Sequence, residues 1–370
     1  MKLAEAKRIV VKIGSILLVD PASGRVHQRW LAGLAEDIAR MRGRGQEVVI
    51  VSSGAIALGR RHLKLRTGKL KLEEKQAAAA NGQIHLAMAY QDAMSKHDIS
   101  VAQVLLTVDD TEQRRKYLNA RSTVNTLLKL GALPVINEND TVATAEIRYG
   151  DNDRLSARVA EMISADCLVL LSDVDGLYSA DPAVDPDARL LAQVDRITPE
   201  VEAMAGQPRT GDGSGGMITK LLAARIATSA GCAMVIARGS AAQPLSAIEA
   251  GGPCTWFSAQ GSPRTARKQW IAGTLKPSGS LTVDDGAVRA LGAGKSLLPA
   301  GVTAIEGDFQ RGDAVTIRDT SGRVLGRGLV AYSSDDARPI IGHKSSEIEA
   351  LLGYRGRDEM IHRDDLVLNE

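Results

Sequence analysis

The chain has 370 residues, of which 44% are hydrophobic and 24% charged, a balance typical of a folded protein long enough for two domains. The formal net charge of +2 excludes a strong overall field toward nucleic acid or an anionic membrane. Aromatic residues make up only 3% of the chain, which is few for a surface that stacks exposed bases.

The chain contains three cysteines, which are far apart in the sequence: Cys167, Cys232 and Cys254. Such a set forms neither a disulfide framework nor a zinc motif, and it favours a reducing compartment. The charged first residues do not resemble a signal peptide, and no apolar run reaches the roughly 18 residues of a membrane span. We therefore expect a cytoplasmic location and no membrane association.

The first two-thirds of the chain alternates short apolar runs with longer helical patterns. The runs that predict strands are Arg8–Ile13, Glu47–Val51, Val101–Thr107, Leu133–Asn137, Cys167–Ser172 and Ala233–Ala237. The stretches that predict helices are Trp30–Arg42, Lys75–Lys96, Thr123–Leu130, Leu155–Ser164 and Met217–Ala230. Strands that are apolar on both faces and separated by helices predict an α/β fold, a three-layer αβα sandwich with a mainly parallel sheet. Ligands of such folds bind beyond the carboxyl ends of the strands.

The pattern changes after about residue 258. A linker is predicted over residues 259–275 and a C-terminal tail over residues 357–370, on either side of a second domain at residues 276–356. This second domain has short, glycine-punctuated segments that predict strands: Gly279–Val283, Val302–Glu306, Ala314–Arg318 and Val324–Tyr332. We therefore predict a first domain over residues 1–258 and a small β-rich second domain.

Two motifs at strand ends indicate anion binding. Lys12 ends the first strand, where a buried ammonium group is costly unless an anion meets it, and Gly14 lets backbone amides approach a phosphate. The second strand turns into a helix through Ser52-Ser53-Gly54, whose free amides favour a carboxylate or phosphate. A lysine extending from the sheet edge and a simple capping turn are the respective alternatives.

Further motifs are acidic, amide-rich or glycine-rich. The loops Asn137–Asp140 and Gly150–Asp153 either cap helices or form a polar pocket for a substrate that carries both charge signs. Neither loop has the ligand spacing of a calcium site. Ser172-Asp173 ends another strand, and the glycine run Gly211–Gly216 leads into a helix from which Lys220 can reach back toward phosphates.

The combined motifs resemble the amino acid kinase family. The matching stretches are VVKIGS, VIVSSGAIALG, PVINENDTVA, YGDNDRLSARVA, LLSDVDGLYSADP and GSGGMITKL, which cover nearly all of residues 8–237 in the family's order. The later stretch LKPSGSLTVDDGAVRALGAGKSLLPAGVTAIEGDFQRGDAV resembles a PUA domain. An appended PUA domain is similar to that of bacterial members that phosphorylate glutamate. It argues against the acetylglutamate, uridylate, carbamate and aspartate kinases.

The resemblance implies ATP-dependent phosphorylation of the γ-carboxylate of L-glutamate with Mg²⁺, as the first step toward proline. It also implies inhibition by proline and a homo-oligomer, a dimer or tetramer. The polar stretch Asp109–Arg121 is either a place for that control or an exposed charged connection. Two alternatives stay open: a kinase of another small acid, and RNA binding through the PUA domain, where basic residues alternate with acidic ones.

The resemblance also assigns site residues. Lys12 and Lys220 would contact the ATP phosphates, and glutamate would be held by Ser52, Asp140 and Asn152. The nucleotide would be lined by Gly14, Ser172, Asp173, Ser214, Gly215, Gly216, Met217, Ile218, Thr219 and Lys220. Three of these depart from the commoner family pattern, Ser172 replacing Thr, Ser214 replacing Thr and Ile218 replacing Ser.

The chemistry of the residues adds three expectations. The glutamate carboxylate is already ionised at neutral pH, so the reaction needs alignment and charge neutralisation rather than a general base. We assign Lys12 to the transferring phosphoryl group and Lys220 to the phosphates near the leaving oxygen, with Asp153 orienting both by ion pairing. Asp140 would pair with the α-ammonium group and so favour free glutamate over an N-acylated form. We assign no protein ligand to the metal.

Overall fold

The computed structural model describes residues 2–66, 68–142, 152–206, 216–274 and 277–369. The chain divides into two compact units, Met1–Pro263 and Arg264–Glu370. This division falls inside the linker predicted from the sequence. In the described parts of the chain, no helix is both long enough and apolar enough to span a membrane.

The first unit alternates strands and helices along most of its length. Its described strands are β1 Arg8–Ile13, β2 Glu47–Ser52, β3 Val101–Leu106, β4 Leu133–Glu138, β5 Cys167–Ser172, β6 Gln193–Val194, β7 Ala233–Arg238 and β8 Cys254–Phe257. Its described helices are α1 Ser15–Leu18, α2 Gln28–Gly43, α3 Ala55–His62, α4 Leu72–Ser95, α5 Val108–Glu112, α6 Arg114–Lys129, α7 Asn152–Ile163, α8 Pro199–Ala203, α9 Met217–Ser229 and α10 Pro244–Glu249. The strand predictions agree with these bounds to within about one residue.

These strands form one sheet in the order β3-β4-β2-β1-β5-β7-β8-β6. Among the described strands, neighbours pair in parallel except β7 and β8, which are antiparallel. The predicted mainly parallel sheet is therefore confirmed. The centre of the sheet is β1, which pairs with β2 on one side and β5 on the other.

Alternation along β1 shows why the sheet is covered on both faces. Ile9 and Val11 pack in the same apolar cluster as residues of α2 and α4, whereas Val10 packs with residues of α7 and α9. Successive side chains of a strand point to opposite faces, so an uninterrupted apolar run requires a helical layer on each side. The three-layer αβα architecture is confirmed.

The turn from β2 into α3 and the packing of α3 depend on glycine. Gly54 caps α3 with a φ of +104°, in the left-handed region that favours glycine. Further along, a Cβ on Gly59 would collide with the carbonyl oxygen of Ala78, and one on Gly82 with that of Ala55. Helices α3 and α4 therefore pack backbone against backbone, which fixes the first turn of α3 relative to the sheet.

The polar stretch Asp109–Arg121 lies in two helices, α5 and α6. Thr107, predicted as the last residue of a strand, instead caps α5, because its side chain accepts from the backbone amide of Asp110 at 3.3 Å. In return, the Asp110 carboxylate accepts from the Thr107 amide at 2.8 Å. This reciprocal capping starts helix α5 at the beginning of the stretch for which an exposed connection was one of two alternatives.

The second unit contains a separate sheet. Helix α11, Pro263–Thr274, begins at the unit boundary, and the remaining described elements are β9 Gly279–Val283, α12 Asp285–Gly292, β10 Val302–Gly307, β11 Ala314–Asp319, β12 Val324–Leu329, α13 Ser334–Ala337, α14 Ile348–Leu352 and β13 Leu366–Leu368. The strand order is β10-β9-β11-β12-β13, with β9 and β11 parallel and the other pairs antiparallel. The small β-rich unit is thus confirmed. Strand β13 lies in the segment predicted as a tail, so that segment contributes to the sheet.

Candidate functional site

The carboxyl ends of β2, β1 and β5 lie side by side at one edge of the first sheet, because these neighbouring strands are parallel. A cavity of about 750 Å³ opens at this edge. Of the residues predicted for the site, those that line the cavity are Lys12, Gly14, Asp140, Asn152, Ser172, Asp173 and Lys220. Five separate segments of the sequence therefore meet around one space, in the place that parallel α/β sheets use for ligands.

Two lysines contact a single carboxylate at the cavity. Lys12 Nζ lies 2.5 Å from Asp153 Oδ1, and Lys220 Nζ lies 3.2 Å from Asp153 Oδ2. Lys12 and Lys220 are 9% and 5% exposed, and Asp153 is fully buried. Thr219 Oγ1 also lies 3.1 Å from Asp153 Oδ2. Asp153 therefore contacts both ammonium groups, and both lysines line the cavity.

Local structure explains how three residues distant in sequence converge. Lys12 is two residues after Val10 in β1, so it shares the face that packs against α7 and α9. Asp153 lies in the first turn of α7, where the helix dipole favours a carboxylate, and Lys220 lies one turn into α9. The strand supplies one cation, and the two helices on that face supply the anion and the second cation.

The charges in this group control the ionisation of Asp153. Burial by itself would raise the pKa of the Asp153 carboxyl group, but the charges and hydrogen bonds of Lys12 and Lys220 outweigh burial, and the pKa lies below its ordinary value. Asp153 is therefore a carboxylate at neutral pH. Two ammonium groups share this carboxylate at the cavity wall, which suits the group to bind an anionic ligand.

Asn152, the residue before Asp153, connects three segments through its side-chain amide. Asn152 Nδ2 lies 2.8 Å from the carbonyl oxygen of Ser52, 2.8 Å from Ser53 Oγ and 2.9 Å from Asn137 Oδ1. Asn137 Oδ1 also accepts from the backbone amide of Glu138 at 2.9 Å. These bonds join the ends of β2 and β4 to the start of α7, so the amide group of Asn152 is fixed in orientation.

Ser52 and Ser53 have different positions relative to the cavity. Ser52 is fully buried, and its hydroxyl lies 2.9 Å from the Tyr90 hydroxyl and 3.1 Å from the Ser53 carbonyl oxygen. The described cavity lining contains Ser53 rather than Ser52. The glutamate contact assigned to Ser52 stays a prediction, and Ser53 is the serine whose position reaches the cavity.

The described residues among those predicted to bind the nucleotide lie mainly at two places, the end of β5 and the start of α9. Ser172 donates to Asp173 Oδ1 at 2.9 Å, at the end of β5 beside Gly14. Gly216 caps α9, whose first residues are Met217, Ile218 and Thr219, next to Lys220. Ser214 and Gly215 lie outside the described residues, as do Gly150 and Asp151 of the acidic loop.

Sequence reasoning missed two charged residues of the cavity wall, Asp20 and Arg60. Asp20 lies in a turn between α1 and α2, and Arg60 lies on α3, where its guanidinium donates to the carbonyl oxygens of Arg66 and Gly68. Neither residue belongs to a motif with a recognisable spacing. Only the fold of the turn and the direction of α3 bring them to the site.

The cavity wall therefore has side chains of both charge signs. The cations are Lys12, Lys220 and Arg60, and the carboxylates are Asp20, Glu138, Asp140 and Asp173. A ligand with a polyanionic part and a zwitterionic part matches this distribution. The arrangement suits the approach of an anionic acceptor to a phosphate chain, which requires local positive charge.

Comparisons with known proteins agree with this geometry. The model of the amino acid kinase family matches residues 7–238, and the model of the PUA domain matches residues 279–352. A carbamate kinase from Giardia lamblia bound to AMP-PNP superposes with a TM-score of 0.50 at 19% identity, covering 70% of this chain and all of that one. This structural likeness concerns the fold alone. The chain belongs to the amino acid kinase family.

Within that family, the sequence resembles particular members over both units. A glutamate 5-kinase of Paramagnetospirillum magneticum is 67% identical over 99% of this chain and 99% of its own length. A glutamate 5-kinase of Rhodospirillum rubrum is 62% identical over 97% of this chain and 96% of its own length. The resemblance predicted from the motifs is thus confirmed along nearly the whole sequence.

Proposed function

We propose that this chain transfers the γ-phosphoryl group of ATP to the γ-carboxylate of L-glutamate, forming γ-glutamyl phosphate and ADP in the first step toward proline. The observation that carries the proposal is the pair of lysines held on Asp153 at the wall of an acid-lined cavity. The reaction requires two lysines close enough to contact one triphosphate, and Lys12 and Lys220 both contact Asp153. The high identity to glutamate 5-kinases over both units supports the choice of glutamate.

The reaction follows from charge placement. A γ-carboxylate oxygen of glutamate attacks the γ-phosphorus, and the bond to the bridging oxygen breaks with its electron pair leaving on ADP. The acceptor is ionised at neutral pH, so no proton has to be removed first. Lys12 would neutralise the transferring phosphoryl group and Lys220 the oxygens near the leaving group, while Asp153 keeps both ammonium groups in place.

The donor set also fits a magnesium–nucleotide complex. Glu138, Asp140 and Asp173 place carboxylate oxygens at the cavity wall, and Mg²⁺ prefers such oxygens together with phosphate oxygens and water. Bound Mg²⁺ would supply positive charge to the phosphate chain. We assign no individual residue as a ligand.

Substrate choice would depend on Asp140. This half-buried carboxylate lines the same cavity as Asn152 and Ser53. It would repel a bare dicarboxylate and pair with an α-ammonium group, which acetylglutamate lacks. Inhibition by proline, assembly as a dimer or tetramer and a cytoplasmic location are further proposals that follow from the family resemblance.

The acceptor is tested by measuring ADP release and trapping the acyl phosphate with hydroxylamine. The purified chain is given ATP and Mg²⁺ with glutamate, N-acetylglutamate, aspartate or carbamate in parallel. We expect hydroxamate formation with glutamate at least tenfold above the other acids. If another acid is turned over faster than glutamate, that acid is the acceptor and glutamate is not.

Two lysines near the ends of the same strand provide a matched control. Lys12→Met removes a cation of the cavity, whereas Lys7→Met removes an exposed ammonium group at the opposite end of β1. We expect Lys12→Met to lose at least 99% of kcat and Lys7→Met to keep it. Equal activity in the two variants would remove Lys12 from the mechanism.

A further inference from the structure

A buried hydroxyl pair joins α4 to the end of β2. The Tyr90 hydroxyl lies 2.9 Å from Ser52 Oγ, and both residues are 0% exposed. Tyr90 is not among the described residues that line the cavity. Among the described residues, Ser52 Oγ is the polar partner of the Tyr90 hydroxyl.

The direction of these hydrogen bonds follows from the single proton that each hydroxyl has to donate. A buried tyrosine hydroxyl needs a hydrogen-bond partner, and burial raises the pKa of the Tyr90 phenol although its bond to Ser52 lowers it. The Ser52 hydroxyl has a single proton, which it donates to the Ser53 carbonyl oxygen at 3.1 Å. In the contact between the two hydroxyls, Tyr90 is therefore the donor and Ser52 Oγ the acceptor. The two hydroxyls form a one-way chain that ends on the backbone of the β2–α3 turn.

This turn contacts Asn152, which the family resemblance assigns to the acceptor, and we call the part of the cavity formed by Ser53, Gly54, Asp140 and Asn152 the acceptor side. The Ser52 carbonyl oxygen and Ser53 Oγ both accept from Asn152 Nδ2, and Ser53, Gly54 and the first turn of α3 line the cavity. Helix α4 already holds α3 through the close contact at Gly59 and Gly82. The Tyr90–Ser52 bond is a second attachment of α4, placed at the beginning of the turn.

We propose that Tyr90 is a positioning residue for the acceptor side of the site, acting through Ser52 on the turn that carries Ser53 and Gly54. The inference rests on the proposed function only for the identity of the acceptor. It requires that losing the Tyr90 hydroxyl weakens binding of the acceptor and not that of ATP, because Lys12, Lys220 and Ser172 lie on other strands and helices.

The test is Tyr90→Phe, which removes one oxygen and keeps the ring. Loss of one buried hydrogen bond corresponds to about a threefold to tenfold change in affinity. We expect the KM for glutamate to rise by that factor, with the KM for ATP and kcat within twofold of the wild type. An unchanged glutamate KM, or an equal loss in kcat and both KM values, would overturn the proposal.

The chain offers a matched control in Tyr332, another buried tyrosine, whose hydroxyl donates to the Arg357 carbonyl oxygen in the second unit. Tyr332→Phe should leave both KM values unchanged. A double variant supplies a further check. If Tyr90 acts through Ser52, Tyr90→Phe should add less than twofold to the glutamate KM of Ser52→Ala. Full additivity would contradict the proposed route.

Binding without turnover keeps the test valid for a weakly active variant. Glutamate should raise the midpoint of thermal unfolding less in Tyr90→Phe than in the wild type, while the rise caused by ATP stays equal. Equal rises with glutamate would overturn the inference. If the wild type itself turns over another acid instead of glutamate, the proposed function fails, and the same comparison is made with that acid.

Discussion

The molecule contains two buried ionic groups that use the same chemistry for different ends. In the first unit, Lys12 and Lys220 share the Asp153 carboxylate. In the second unit, Arg267 Nη2 lies 2.5 Å from Asp365 Oδ1, both side chains are 7% exposed, and Arg267 Nε donates to the Asp364 carbonyl oxygen at 3.2 Å. One group faces a cavity, and the other joins α11 to the segment before β13.

The difference lies in charge balance and exposure to ligand. Arg267 and Asp365 form a pair of one cation and one anion, which suits a role in the structure of the second unit. In the lysine group, two ammonium groups share one carboxylate at the wall of a cavity, where a bound anion would interact favourably with both. Two cations that share a carboxylate at a cavity wall therefore suit an anion-binding site, whereas the one-to-one pair of Arg267 and Asp365 suits a structural role.

The largest effect should come from the shared carboxylate. Asp153→Asn removes the charge that keeps two ammonium groups together, so the lysines repel each other and lose their alignment with the phosphates. We expect kcat to fall about 100-fold to 1,000-fold, the range found for loss of one preorganised electrostatic contact. Steady-state ADP release measures this. The matched variant Asp365→Asn should keep kcat within threefold, and a similar loss in both would erase the distinction between the two groups.

The second unit should respond in stability instead. Arg267→Met leaves the Asp365 carboxylate buried without its cation, at a cost of about 3 kcal/mol of unfolding free energy. Urea unfolding of the full chain measures this cost. As a control, Arg323→Met removes an exposed partner of Asp319 and should cost under about 1 kcal/mol. A cost for Arg267→Met no greater than that of the control would mean that burial adds nothing to this pair.

A smaller effect is expected on the acceptor side of the cavity. Asp140→Ala should raise the KM for glutamate about 10-fold to 100-fold by removing the partner of the α-ammonium group, with the KM for ATP nearly unchanged. Steady-state kinetics with each substrate varied in turn measure both values. Asp92→Ala, which removes an exposed carboxylate on α4, is the control. If the KM for ATP rises as much as that for glutamate, Asp140 does not act specifically on glutamate binding.

The pH dependence of stability sharpens the comparison further. The pKa of Asp153 is lower in the folded chain than its ordinary value of 3.8, so the stability gained from the lysine group is fully present above the ordinary value. It is lost as the pH falls through the lower, folded value. The difference in unfolding free energy between the wild type and Asp153→Asn should therefore stay constant at neutral pH and shrink below 3.8. A difference that already shrinks near neutral pH would contradict the lowered pKa.

The sequence by itself determined the alternation of strands and helices, because buried parallel strands require apolar runs of limited length and the helices between them require an amphipathic pattern. It also indicated Lys12, Asp140, Asn152 and Lys220, since a polar residue at the end of a buried strand or beside a glycine run has few structural uses. It did not predict helix α5, which begins at the cap on Thr107, or the first part of helix α6, because the charged stretch Asp109–Arg121 left a control site and an exposed connection as alternatives.

Only the tertiary structure decided which atoms meet. Asp153 and Lys220 are 67 residues apart, and their contact depends on two helices packing on the same face of β1. The position of Ser53 at the cavity wall, the contact of Tyr90 with Ser52 and the position of Arg60 at the cavity follow from the turn at Gly54 and the close packing of α3 on α4. Patterns in the sequence report local periodicity and burial, whereas the partner of a side chain depends on contacts between segments that are distant in the chain.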